Sequence, residues 1–223
     1  SALYITNNSQ LQASHVLVAD NGVQHAGDAP CFGPIVAVNS TAQVEYLRVV
    51  GNSTLCSNGM AALAHLSLAS AARFEHAVFH GNMMYELKEE EGSDPPEGGI
   101  LLMESSLKLY NSSFSENEGH ASAVNGIGAK ISLESSCSTF DGEANDLFSG
   151  VDDPRGQSGN IGQAPSFQDV SSEHGMGWNV HLSSDSPLVG AGCQTDLDEK
   201  VNMNPNDSSP DIGAYGGYEA DLW

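Results

Sequence analysis

The sequence predicts an all-β fold in which short strands recur as the coils of a β-solenoid. Three observations carry that reading: a composition rich in turn formers, a period-two alternation of apolar residues, and the return of that alternation at intervals of a few tens of residues. Gly, Ser and Asn are abundant; they are mediocre helix formers and good turn formers. The hydrophobic share of 39% is enough for a core, which argues for a folded chain.

The elements follow in chain order. "VEYLRVVGN", Val44 to Asn52, is a degenerate first copy of the alternating segment. "GMAALAHLSL" (Gly59 to Leu68) is an apolar strand led by glycine, and "AARFEHAVFHGN" (Ala71 to Asn82) follows it. The pair recurs as "GGILLM" (Gly98 to Met103) with "SSLKLYNSSFSEN" (Ser105 to Asn117), and as "ASAVNGIG" (Ala121 to Gly128) with "AKISLESSCSTFDGE" (Ala129 to Glu143). Each second member ends at a phenylalanine (Phe79, Phe114, Phe140) and then a polar turn. Alternation sends Leu107 and Leu109 one way and Lys108 and Tyr110 the other; Ile131 and Leu133 point in, Ser132 and Glu134 out. That period belongs to half-buried strands. The phenylalanines are 35 and then 26 residues apart. The longer interval holds an acidic insertion at about 84–98, "MYELKEEEGSDPPEG", and without it the spacing returns to the mid-twenties. A unit of that size made of strands and turns alone fits one solenoid coil. A β-sandwich with frequent turns is the alternative.

Seven basic residues against 29 acidic ones give a formal charge of −22. Such a surface repels nucleic acid and anionic membranes and leaves cations, basic proteins and neutral glycans as partners. No apolar run is long enough to span a bilayer. The N-terminus shows no signal peptide and begins without Met, as an excised fragment of a longer chain would. The four cysteines, Cys31, Cys56, Cys137 and Cys193, form no CxxC pair, so they give no zinc signature. Disulfides are expected if the protein is extracellular, and buried thiols otherwise.

The segment "GGILLMESSLKLYNSSFSEN" resembles a coil of the right-handed parallel β-helix proteins, in particular the repeats of bacterial surface proteins that carry a GG-[AI] step followed by F-x-x-N. The matching residues are Gly98, Gly99, Ile100, Phe114 and Asn117, and Phe79 with Asn82 repeats the second half. The third copy departs, with Glu143 in place of Asn and no glycine pair at 121–123. The C-terminal segments "GNIGQAPSFQDV", "NVHLSSDSPLVGAGC" and "PDIGAYGG" are similar to the ending of many secreted bacterial β-helix proteins. The residues concerned are Pro165, Phe167, His181, Leu182, Ser186, Pro187, Ala191, Gly192, Asp211, Ile212, Gly213, Ala214 and Tyr215.

The resemblance spans about residues 44–217. It implies one domain, with coils over 1–158 and the last coil and a C-terminal cap over 159–223. It also implies inward columns of Leu, Ile, Val, Phe and Ala, an Asn ladder at the turns, and a closing strand at Ser209–Gly217. In such coils Cys31 and Cys56, 25 residues apart, sit one above the other, which leaves Cys137 with Cys193. The ending is shared by chains of many activities and names no substrate.

Three site readings follow. The stretch after Cys193 offers Asp196, Asp198, Asp207 and Asp211, with Glu199, Asn202, Asn204 and Asn206, the oxygen ligands that calcium takes. It lacks the EF-hand pattern, and the plainer reading is a solvated loop with Asp211 as a turn former. The insertion Glu86–Gly99 reads as a protruding loop. Asp141, Glu143, Asp146, Asp152 and Asp153 crowd after Phe140, as a glycoside hydrolase's carboxylate pair requires. Lyase chemistry also needs clustered cations, which the scattered Arg48, Arg73, Arg155 and lysines do not supply. The eight histidines show no metal-ligand spacing. The function expected is a non-catalytic module of a secreted or cell-surface bacterial protein for adhesion, glycan binding or assembly, its partner a glycan or a surface protein. The alternative is a carbohydrate-active enzyme, a polysaccharide lyase or glycoside hydrolase, or a remnant of one.

Overall fold

A computed structural model of the protein describes residues 3–25, 33–56, 61–86, 98–171, 175–195 and 209–213. The described chain is nearly all β. Three strands make its first level: β1 (Leu3–Thr6), β2 (Gln10–Ala19) and β3 (Gly22–His25). Three more repeat the pattern in β4 (Ile35–Val38), β5 (Thr41–Val50) and β6 (Ser53–Cys56), and again in β7 (Ala62–Ser67), β8 (Ala71–His80) and β9 (Met83–Glu86). The fourth level has β10 (Gly98–Met103), β11 (Ser106–Tyr110) and β12 (Ser113–Ser115); the fifth has β13 (Val124–Ile127), β14 (Ser132–Ser136) and β15 (Thr139–Phe140). A one-turn helix α1 (Ala144–Leu147) leads into β16 (Phe148–Ser149), and β17 (Phe167–Asp169) and β18 (Asn179–Leu182) come last.

Strands of one level pair in parallel with strands of the next. The first sheet runs β1-β4-β7-β10-β13-β16 and the third β3-β6-β9. In the second, β2, β5 and β8 lie side by side, and β8 continues into β11 with its first half and β12 with its second. The hairpin β17–β18 is antiparallel.

The middle sheet bends because one residue at each level leaves the β region. His15, Tyr46, His76, Asn111 and Cys137 have φ of 54°, 51°, 50°, 47° and 47°, and register sets them in one column. A left-handed conformation costs an ordinary L-residue about 1–2 kcal/mol. Ring stacking offsets part of that cost: His15, Tyr46 and His76 lie with centroids 4.9 and 5.3 Å apart. The next corner is turned by Asp20, Gly51, Gly81 and Glu116, also at positive φ, each followed by an asparagine at the first four levels; the fifth has Gly142 and then Glu143.

Those asparagines form the expected ladder. The side-chain amides of Asn21, Asn52 and Asn82 donate to the next Oδ1 at 2.9, 2.9 and 2.8 Å, ending on Asn117. The Asn82 amide also donates to the Val49 carbonyl, and its Oδ1 accepts the Asn52 backbone N–H. Asn82→Ala is therefore expected to cost about 3 kcal/mol, since it strands several buried polar groups at once. Urea unfolding checks this, and a loss below about 1 kcal/mol would show that the ladder is replaceable by water.

The core fills the space between the sheets. Leu107 and Leu109 are fully buried, as the alternation predicts. Phe79, Phe114 and Phe140 stack with centroids 4.6 and 5.2 Å apart, and Phe148 closes the column edge-on to Phe140 at 5.0 Å.

The structure adds to the sequence reading at two places. The third strand of each early level escaped it: Met84 to Glu86, placed there in the acidic insertion, belong to β9, and residues 87–97 of that insertion lie outside the described residues. The C-terminal region lies along the flank. Val180 covers Val50 and Val78, Phe167 and Trp178 meet His80 edge-on, and the Arg48 guanidinium donates to the Trp178 carbonyl at 2.8 Å. The Asp20 carboxylate accepts the backbone N–H groups of Gly175 and Met176 at 2.6 and 2.8 Å. A Cβ on Gly81 would lie 2.5 Å from the Trp178 ring, so glycine is required there for close approach as well as for φ. Burial holds His80 below the usual imidazole range, while Glu116, Ser115 and Asp141 pull it upward.

Residues 209–213 form no strand. Ile212 is buried and its N–H donates to the Leu188 carbonyl, while that of Gly213 donates to the Asn111 carbonyl. The physical reason lies in β5 and β8, whose outward Val50 and Val78 need cover that only a packed segment supplies.

His65 in β7 has Val36 and Leu101 as its register neighbours, both fully buried. Burial lowers its pKa to about 4. The folded pKa lies below the unfolded value, so this contribution to stability is complete above about pH 6.5 and is lost as pH falls from there through about 4. Between about pH 7 and about pH 4.5 the protein is expected to lose about 2–3 kcal/mol on this account. Comparing urea midpoints at both pH values with those of His65→Gln isolates the effect; equal losses in the two proteins would refute it.

Candidate functional site

Residues of β2, β5, β8, β11 and β14 that alternate away from the core form three outward columns. Register aligns Gln10, Thr41, Ala71, Ser106 and Ser132 in the first; Gln12, Gln43, Arg73, Lys108 and Glu134 in the second; and Ser14, Glu45, Glu75, Tyr110 and Ser136 in the third. The first two line a shallow groove of about 300 Å³ across the first four levels. Its floor is small, being Thr41, Ala71 and Ser106, and its wall is long and polar, being Gln12, Gln43, Arg73 and Lys108.

The charges on this face are paired. The Arg73 guanidinium contacts the Glu75 carboxylate at 2.9 Å and lies 4.8 Å over the Tyr110 ring. The Lys108 ammonium meets Glu134 at 2.6 Å, the Tyr110 hydroxyl donates to the same carboxylate at 2.7 Å, and Gln43 donates to Glu45 at 3.1 Å. The hydrogen bond from Lys108, then that from Tyr110, holds the Glu134 carboxyl below its usual range. Glu75 has no exposed side-chain surface; burial pushes its carboxyl up, against the pull of Thr195, Arg73 and His76.

The acids expected from sequence follow β15 outside the strands. Asp153 is held by Arg155, whose Nε bonds both carboxylate oxygens at 3.0 Å and whose Nη2 bonds one at 2.7 Å. The same arginine donates to the Gly142 carbonyl and so closes the turn next to Asp141 and Glu143. The Arg155 hydrogen bond keeps Asp153 below the usual carboxylate range, the wrong direction for a general acid. Asp152 lines a hollow of about 600 Å³ with Ile131, Leu133 and Val151.

Of the calcium candidates, Asp196, Asp198 and Asp207 lie outside the described residues. Asp211 accepts the Gly190 N–H at 2.6 Å, in keeping with a turn-tying role. Among the described residues no group of three or more His, Cys, Asp or Glu is placed to hold a metal ion. Cys137 and Cys193 form a disulfide with Cα atoms 5.6 Å apart; Cys31 lies outside the described residues, and so does the pairing expected for it with Cys56. No helix among the described residues is long and apolar enough to cross a membrane.

The groove escaped the sequence reading because its residues are never neighbours in the chain. Along the second column the steps are 31, 30, 35 and 26 residues, so no fixed period exposes it. A signal is present: the alternation sends Lys108 and Glu134 outward. The fold and site define an all-β protein of stacked parallel sheets with a polar lateral face. Comparison of the chain with protein-family models, with curated proteins and with solved structures gives no match.

Proposed function

We propose that the three parallel sheets are the faces of a right-handed parallel β-helix, and that the protein is a non-catalytic glycan-binding module of a secreted or cell-surface protein. The observation that carries the reading is the lateral groove, where one long polar side chain stands on the wall at each of four levels, Gln12, Gln43, Arg73 and Lys108, above hydroxyls at Thr41 and Ser106. Groups of this kind bind sugar hydroxyls by fixed hydrogen-bond geometry. The Cys137–Cys193 disulfide supports an oxidising location. The test is affinity electrophoresis in gels cast with polysaccharides. Retardation by at least one polymer, abolished in Gln43→Ala/Arg73→Ala with the fold intact by circular dichroism, is expected; undiminished retardation of the variant would remove the groove from consideration.

The alternative enzyme reading draws on one observation. Glu45 and Glu75 are partners on adjacent strands of the same face, and Glu75 has the raised pKa that a general acid needs. Binding is preferred because the Glu75 side chain is wholly buried, whereas a catalytic acid must reach the glycosidic oxygen. Release of reducing or unsaturated ends from polysaccharides, lost in Glu75→Gln, would reverse that preference.

A further inference from the structure

Resting on the glycan-binding reading, we infer that the groove takes an extended neutral glycan that runs across the strands at about one sugar ring per level, and that it rejects uronate and sulfated chains. The charge arrangement argues the selectivity. Both cations of the groove wall already have carboxylate partners, Arg73 with Glu75 at 2.9 Å and Lys108 with Glu134 at 2.6 Å. A ligand carboxylate would have to displace an internal one, and it would approach a chain with a formal charge of −22. Desolvating an anion without a new counter-charge is unfavourable. Neutral hydroxyls meet no such barrier: exposed Gln12 and the half-buried Gln43 each present an amide that donates and accepts.

The repeat argues the direction. Adjacent strands stand about 4.8 Å apart, close to the length of one sugar ring in an extended chain. Gln12, Gln43, Arg73 and Lys108 therefore offer polar contacts at sugar-like intervals along a line perpendicular to the strands. The small residues beneath, Ala71 among them, leave room for the rings.

The experiment is calorimetric titration at low ionic strength with manno-, xylo-, cello- and laminari-oligosaccharides of two to six rings, beside oligogalacturonates and oligoguluronates of the same lengths. At least one neutral series is expected to bind, with affinity rising with length to about four rings and then levelling, and with a tenfold or greater loss in Gln12→Ala/Gln43→Ala. The acidic series are expected not to bind. Binding of acidic oligomers in preference would overturn the inference while leaving the groove a glycan site. Affinity that stops growing at two rings would overturn the path across the strands. Binding of neither series would sink this inference and the glycan reading together.

Discussion

Phe114→Ala is expected to lower the unfolding free energy by about 4 kcal/mol, at the upper part of the range for a buried aromatic truncation. The ring is 1% exposed and lies between Phe79 and Phe140, nearly parallel to both. The cost is high because the site cannot collapse. Its neighbours above and below are fixed at the strand spacing by β8, β12 and β15, so the void stays open. The two lost ring contacts add to the transfer term. Phe148→Ala, at the end of the column and 8% exposed, is expected to cost less. Guanidinium unfolding with an unchanged denaturant slope measures both. Equal losses at the two positions would mean that stacking along the column adds nothing.

Loss of the Cys137–Cys193 disulfide is expected to cost a similar amount. The bond closes a loop with a sequence separation of 56 residues, which loop-closure entropy converts to about 4 kcal/mol and a fall in Tm of roughly 10 °C for a chain of this size. It also holds the C-terminal segment where the Asn111 side chain makes two bonds with the Cys193 backbone, at 2.7 and 2.8 Å. In Cys137→Ser/Cys193→Ser the region around Ser186–Cys193 is expected to exchange amide hydrogens before the parallel sheets do. Calorimetry of the variant, beside the wild type with its thiols counted, provides the check. An unchanged Tm would mean that the flank contacts hold the segment alone.

These two features were legible in the sequence to different degrees. The phenylalanine column was visible because Phe79, Phe114 and Phe140 each end an alternating run, and the ladder because Asn82 and Asn117 follow at fixed offsets. Pairing of Cys137 with Cys193 was legible only as the remainder once the resemblance set Cys31 over Cys56, since nothing local links residues so far apart. The short strands β3, β6 and β9 were hidden because four residues without a clean alternation give no periodic signal. For the groove, alternation showed that Lys108 and Glu134 point outward, yet not that they touch. Conversely, the acids after Phe140 are crowded in sequence, yet Arg155 claims Asp153, and Asp152 lines the hollow beside Ile131 and Leu133, because segments outside the strands position them.

By itself the sequence determined the local terms: strands from the period of two, turns from Gly, Asn and Ser, and the inward column from the recurring phenylalanine. These depend on residues within a few positions of one another, whose geometry the backbone fixes. Only the tertiary structure decided which outward residues share a face, where the C-terminal hairpin lies and which carboxylates are paired. Those outcomes depend on register between levels that are 26 to 35 residues apart in the chain along the groove column, and on the need to cover Val50 and Val78. Register is set by packing across the whole stack, so no short window of sequence contains it.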